Sequence, residues 1–247
     1  MTLQAVLFDL WETLIRDTPE RAAPRRAWRT QRVREALAAH GLDVAYDVIL
    51  ATLDATSRGL TDLHDIGRDT TSRAGLFGDE LAKSAGRRPP AAALPALEQV
   101  ITMLHPELAP SLAPHAIETL TALKALGLGT GLVSNAGFTT APHLRALLDY
   151  HGLTPHLDVL VFSDELQIAK PDARVFQCAL NALGRDAAAC AFIGDSPHND
   201  VFGAQSAGLF AVQLGARTRD GVRPEARIDG LQELIPALRA HGLVSNK

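Results

Sequence analysis

AVLFDLWETL, Ala5 to Leu14, is the stretch that decides how this chain folds. Four apolar residues, Ala5 to Phe8, run straight into Asp9. A short unbroken apolar run ending in polar residues is the pattern of a strand buried on both faces. Such strands belong to parallel sheets, so the chain should return to this direction several times. From about Leu112 it does. GTGLVSNAG (Gly129 to Gly137), LDVLVFSDE (Leu157 to Glu165), AACAFIGDS (Ala188 to Ser196) and LFAVQLG (Leu209 to Gly215) repeat the pattern. Between them lie stretches of helical period. HAIETLTALKAL places Ile117, Leu120, Leu123 and Leu126 on one stripe. HLRALLDYHG (His143 to Gly152) and DARVFQCALNALG (Asp172 to Gly184) both stop at glycine. A further helix is expected around Val201 to Ala207. Alternating strands and helices imply an α/β protein, a parallel sheet with helices on both faces.

Between the first strand and Leu112 there is almost no strand signal. PRRAWRTQRVREALAAHG (Pro24 to Gly41) opens on proline and closes on glycine, as helices do. AYDVILATLDATSRGL (Ala45 to Leu60) and PALEQVITMLH (Pro95 to His105) also read as helices. The expected organisation is a core of residues 1–16 and 110–247, interrupted by an all-helical insert, 17–109. RDGVRPEARIDGLQEL (Arg219 to Leu234) reads as a loop followed by a closing helix.

The composition narrows the function classes. A formal charge of -4 over 247 residues argues against nucleic acid as a partner. No apolar run is long enough to span a membrane, and the N-terminus lacks the features of a signal peptide. A cytoplasmic protein is expected, and both a monomer and a homodimer remain open. The two cysteines, Cys178 and Cys190, have no metal-type spacing and read as reduced thiols.

Chemistry collects at the strand ends. Asp9 follows the first strand, Ser134-Asn135 another, and Asp195-Ser196 with Asn199-Asp200 a third. Open parallel sheets bind ligands outside the carboxyl ends of their strands, so these groups should share one crevice with Lys170 of AKPDARVF. Three carboxylates together need a cation, and an all-oxygen donor set suits Mg²⁺. Lys170 and Ser134 would hold an anion beside that metal. The combination suits phosphoryl transfer, with an aspartate able to act as nucleophile.

Read as a set, these stretches resemble the haloacid dehalogenase-like hydrolase superfamily. The resemblance runs from the first strand to about Gly215. LFDLWETL resembles the first family motif, LVSNAG the second, Lys170 in AKPDARVF the third and FIGDSPHNDVFGAQSAG the fourth. It implies a Rossmann-like core, with the helical insert as a C1-type cap domain. It also implies Asp9 as nucleophile, Ser134 as a phosphoryl ligand and Lys170 as the neutralising cation. Asp195 and Asp200 become the acidic metal pair. Thr13 is expected to fix the turn; Ser196 and Asn199 belong to the fourth motif.

Trp11 departs from the pattern. Phosphatases of the family carry a second aspartate there, as general acid and base, with its main-chain carbonyl on the metal. Trp11 keeps the carbonyl and loses the carboxylate, and an indole performs no acid–base work. Glu12 and Asp17 are the nearby groups able to replace it. Mg²⁺-dependent hydrolysis of a small phosphoester is the favoured function. The L-2-haloacid dehalogenases place an aromatic residue here and use no metal, which makes a 2-haloacid substrate the rival. A family member that binds a phosphorylated ligand without turnover is the third reading. The arginine that dehalogenases use for carboxylate and halide has no clear counterpart. Six arginines lie between Arg21 and Arg34, and the spacing of Arg21, Arg25, Arg29 and Arg32 suggests a solvated face.

Overall fold

The computed structural model describes residues 2–245. Strand β1 (Ala5–Phe8) and the two-residue β2 (Ile15–Arg16) lead into four helices: α1 (Pro19–Ala39), α2 (Tyr46–Asp65), α3 (Arg73–Ala85) and α4 (Leu94–Thr102). The chain returns through β3 (Ser111–Leu112), paired antiparallel with β2, so both passages are tied at one point. Then follow α5 (Ala116–Ala125), β4 (Gly129–Ser134), α6 (Ala141–Tyr150) and β5 (Val159–Phe162). The short α7 (Ser163–Leu166), α8 (Ala173–Leu183), β6 (Cys190–Gly194) and α9 (Gly203–Ser206) come next, then β7 (Phe210–Leu214), β8 (Ala226–Ile228) and α10 (Leu234–Ala240).

Six strands form one parallel sheet in the order β5-β4-β1-β6-β7-β8. β1 explains why. All four of its residues are fully buried, and they alternate between two layers. Val6 and Phe8 join a cluster with Leu120, Leu144 and Leu234. Ala5 and Leu7 join another with Phe176 and Leu180. Apolar burial on both faces therefore fixes β1 at the centre of an α/β/α sandwich. After β5 the chain crosses back to β6, on the other side of β1. The strand order reverses beside β1, and in an open sheet that is where a ligand crevice opens.

The helical segment has its own apolar core, including Val33, Leu37, Ile49, Leu53, Phe77, Leu81, Leu97 and Ile101. It is docked on the sheet domain by buried polar contacts. Arg73 is fully buried and donates to the carbonyls of Ala136 and Gly137 at 2.8 and 3.0 Å. Asp69 pairs with Arg73 at 3.1 Å and accepts from the Ser163 hydroxyl. Ser163 in turn accepts the Ala136 N–H at 2.8 Å. The loop after β4 is thus held from both sides.

Three expectations change. Helix α1 starts a turn before Pro24, at Pro19, and keeps Pro24 inside. Pro24 is the sixth residue of the helix, so its missing N–H forgoes the bond to the Glu20 carbonyl, and the helix continues past it. Helix α3 was not visible as a separate element; Ser72 caps it by accepting the Gly75 N–H, and Gly86 ends it in the left-handed conformation. The tail contains β8 as well as a helix. ARI is too short to register as a strand alone, and its pairing with β7 supplies the rest.

Candidate active site

Asp9 sits one residue beyond β1 and is 5% exposed. Its N–H donates to Ile193 O at 2.9 Å, which extends the β1–β6 register into the site. Lys170, also buried, donates to Asp9 Oδ1 at 2.6 Å and to Asp200 Oδ1 at 2.8 Å. Asn135 fixes this lysine through its backbone: the Asn135 amide accepts the Lys170 N–H at 2.8 Å and donates to the Lys170 carbonyl at 3.0 Å. Asp200 Oδ2 accepts the Ser196 N–H at 2.8 Å, and Ser196 Oγ accepts the Asn199 N–H at 3.1 Å. This tight turn needs Gly194. A Cβ there would lie 2.3 Å from the Asp200 carboxyl group. Thr13 donates its hydroxyl to Asp9 Oδ2 at 3.3 Å, so it touches the carboxylate as well as the turn.

Asp9, Asp195 and Asp200 each offer an oxygen within 4.8 Å of the other two. At an effective dielectric constant of 20, two carboxylate charges at that separation repel by about 3 kcal/mol. The proton affinities reflect this. Burial, the chief cause, and the charges of Asp200 and Asp195 raise Asp9 to about 7 despite Lys170. Burial and Asp200 raise Asp195 to about 6, although Arg217 donates to it at 2.6 Å. Three carboxylates face two cations, one of them on the mostly exposed Arg217 side chain. Asn199 Oδ1 is buried with no hydrogen-bond partner among the described residues. An all-oxygen, net-negative cluster of this kind suits a hard divalent cation such as Mg²⁺.

A cavity of about 370 Å³ opens on the cluster. The predicted residues Asp9, Trp11, Glu12, Asn135, Lys170, Asp195, Ser196, Asn199 and Asp200 all line it. Three predicted residues do not: Thr13 is fully buried behind Asp9, and Ser134 and Asp17 lie elsewhere. Ser134 is fully buried and its hydroxyl turns to the Asn135 carbonyl at 3.3 Å. Asp17 lies in an adjoining cavity of about 340 Å³, ion-paired with Arg25. Trp11 and Asn135 line both cavities, so the indole stands at their junction. Glu12 is in the left-handed conformation (φ 58°), and its carboxylate accepts the Asp17 N–H at 3.1 Å. That bond ties the turn after Asp9 to the start of α1.

A family model for haloacid dehalogenase-like hydrolases matches residues 3–208. The chain belongs to that family. Among curated members, it is 32% identical over 132 residues to pyrimidine 5'-nucleotidase YjjG of Escherichia coli, covering 52% of this chain and 57% of that one. It is 31% identical over 172 residues to phosphoglycolate phosphatase of Salmonella paratyphi A, covering 64% and 67%. The chain therefore spans roughly half to two thirds of the length of these relatives. Among solved structures, a phosphatase of the family from Thermococcus onnurineus superposes with a TM-score of 0.65 at 21% identity, covering 97% of this chain and 98% of that one. A 2-haloacid dehalogenase from Pseudomonas syringae gives 0.66 at 23%, covering 97% and 100%. At these identities the two structures speak for the fold alone.

The haloacid dehalogenase-like core brings its site together with residues that sequence reasoning missed. Thr61 and Asp65 of α2 line the cavity at the carboxylate cluster; Ser57 and His64 line the adjoining one. Their spacing of 57, 61, 64 and 65 puts them on one helix face, a polar stripe that could have been noticed. Arg217, on the loop after β7, was also missed. The arginine face of α1 is not uniformly solvated, contrary to expectation. Arg25 and Arg29 are 8% and 7% exposed and line the adjoining cavity, while Arg32 is exposed and pairs with Glu35.

Proposed function

We propose that this hydrolase is a Mg²⁺-dependent phosphatase acting on a small phosphorylated metabolite, with Asp9 as nucleophile. The observation that carries the reading is the trio Asp9, Asp195 and Asp200 with Lys170 wedged between two of its members. A phosphate dianion would not enter such a net-negative crevice unaided. Asp9, Asp195, Asp200 and the Trp11 main-chain carbonyl would hold the ion, which would supply the charge neutralisation that phosphoryl transfer requires. Lys170 keeps Asp9 Oδ1 fixed and offers its remaining charge to the phosphoryl oxygens. Asp9 Oδ2, held among the described residues by the long Thr13 contact alone, attacks phosphorus; an aspartyl-phosphate forms as the bond from phosphorus to the ester oxygen breaks, and that oxygen departs as an anion or takes a proton from a cavity-wall acid. Water then cleaves the aspartyl-phosphate, releasing phosphate and restoring Asp9. Ser134 takes no part in this reading as the structure stands, since its hydroxyl is buried and turned to the Asn135 carbonyl. The helical layer of residues 17–109 acts as the cap, closing the crevice with α2.

Trp11 offers no proton to the leaving group. Esters whose leaving groups have low pKa, such as aryl, enol and acyl phosphates, should therefore turn over best. Glu12 and Asp65 are the carboxyl groups on the cavity wall that could supply a proton. The same indole favours the second reading, metal-independent dehalogenation of a 2-haloacid. A panel of phosphate esters assayed with Mg²⁺ and with excess EDTA separates the two. Metal-dependent phosphate release that falls by at least about 10³-fold in Asp9→Asn is the expected result. Halide release from 2-chloropropionate in EDTA, without phosphatase activity, would replace this reading with the second.

A further inference from the structure

A histidine that the reaction above does not use lines the cavity beyond Trp11. His64 stands near the end of α2 and is 8% exposed. Its Nε2 lies 3.2 Å from Asp69 Oδ2. Asp69 is itself fixed from both layers, by Arg73 at 3.1 Å and by the Ser163 hydroxyl. Burial pushes the Asp69 carboxyl up, but His64, Arg73 and Ser163 outweigh it and hold the group below its ordinary value, so it is ionised. An ionised acceptor at Nε2 keeps the proton of a neutral imidazole on that nitrogen and leaves the lone pair on Nδ1. Nδ1 makes no hydrogen bond among the described residues. Buried carboxylate, imidazole and free lone pair together form an oriented general base.

The placement answers a need of the reaction. An indole at Trp11 cannot activate the water that cleaves the aspartyl-phosphate. The cavity of His64 meets the cavity at the carboxylate cluster at Trp11 and Asn135, so water in one reaches the other. The dyad is also held in step with the lysine. Asp69 N–H donates to the Gln167 carbonyl at 3.3 Å and Ala169 N–H to the Gly67 carbonyl at 3.1 Å, and Ala169 directly precedes Lys170. We propose that His64 is the general base of the second half-reaction, with Asp69 as its positioning residue. The inference rests on the phosphatase reading and deepens it. His64 Nδ1 takes a proton from the water as the water oxygen attacks phosphorus. The bond from phosphorus to Asp9 breaks, its electron pair returns to the carboxylate, and phosphate leaves. The imidazolium, facing ionised Asp69, then passes its proton to solvent. Glu12 and Asp65, which line the cavity at the cluster, are the alternatives that the experiment separates.

The test uses the full-length protein with Mg²⁺ and 4-nitrophenyl phosphate, whose leaving group departs without an acid and so isolates the second step. His64→Gln suits it, because the glutamine amide still donates to Asp69 while the Nδ1 lone pair is lost. In rapid mixing, the variant should release about one 4-nitrophenolate per site in a burst, then turn over at least about tenfold more slowly than wild type. Acid quenching with a phosphorus-labelled substrate should trap the phosphoenzyme in the variant. A purely structural role would slow the burst and the steady state together. An unchanged steady-state rate, a slow rate without a burst, or the burst pattern in Glu12→Gln or Asp65→Asn in place of His64→Gln would overturn the inference. Should His64→Gln fail to fold, His64→Asn is read in its place by the same criteria. Failure of the phosphatase reading looks different: wild type with Mg²⁺ then releases no 4-nitrophenolate, and the inference falls with it. Metal-dependent turnover in wild type, with no burst in His64→Gln, keeps that reading and removes His64 alone.

Discussion

Replacing Asp9 by asparagine should abolish turnover and, without metal, stabilise the fold at alkaline pH. The magnitude follows from the site. Asp9 is raised from its ordinary 3.8 to about 7 by burial and by its two carboxylate neighbours. Between those values the folded protein holds a proton that the unfolded chain has released. Stability therefore falls as pH rises through this window, and the whole penalty remains above it. Integrated from pH 5 to pH 8, this one group costs about 2–3 kcal/mol. Asparagine does not titrate, so the variant escapes the loss. Urea unfolding of both proteins at pH 5 and pH 8, in EDTA, measures the difference directly. Wild type should lose about 2–3 kcal/mol relative to Asp9→Asn over that interval. Adding Mg²⁺ at pH 8 should narrow the gap, because a bound cation stabilises the ionised carboxylates of the wild type. Parallel pH profiles for the two proteins would refute the claim that repulsion and burial dominate at Asp9. A gap that Mg²⁺ leaves unchanged would refute the metal assignment.

Gly194→Ala should drive the Asp200 carboxylate from its place, since the new methyl falls 2.3 Å from it. A loss of about 1–3 kcal/mol in denaturant unfolding and weaker Mg²⁺ activation are expected; wild-type Mg²⁺ affinity would contradict the close-approach argument. Trp11→Asp should raise turnover of alkyl phosphates by at least about tenfold by restoring an acid. Unchanged rates in a folded variant would show that the proton already comes from another group. Asp69→Asn leaves Arg73 buried without its charge partner, and should cost about 3–5 kcal/mol in thermal or urea unfolding. Ser163→Ala, which removes one hydrogen bond from the same network, should cost about 1 kcal/mol. A larger loss for Ser163→Ala than for Asp69→Asn would mean that the charge pair is not what holds the helical layer to the sheet.

The strand ends were readable because each is a local pattern. Asp9, Asn135, Lys170, Asp195 and Asp200 all stand next to an apolar run or a helix start, and all five line one cavity. Ser134 was readable as a position but not as an orientation. Its hydroxyl points to the next carbonyl, and such a rotamer depends on neighbours that no run of residues specifies. Of the nearby candidates for the missing acid, Asp17 is engaged by Arg25, while Glu12 accepts one backbone N–H and still lines the cavity. Asp65 was overlooked because α2 was expected to end at Leu60, and the helix continues five residues further into the site.

What the sequence by itself determined is periodic and short-range. An unbroken apolar run made β1 a central strand, apolar stripes of helical period made the helices, and the polar residues at the strand ends placed the crevice. What the tertiary structure decided concerns charges whose partners are far away along the chain. Arg29 meets Ile101, 72 residues on, and Arg73 meets Ala136, 63 residues on. In sequence Arg29 looks like a member of a solvated face, and Arg73 carries no local signal at all. Their burial follows from which helix faces meet: Arg29 is enclosed against the Ile101 carbonyl and the Phe138 ring, and Arg73 docks one layer on another. Helical period reports the spacing of a stripe, and only the packing of the layers reports what that stripe faces.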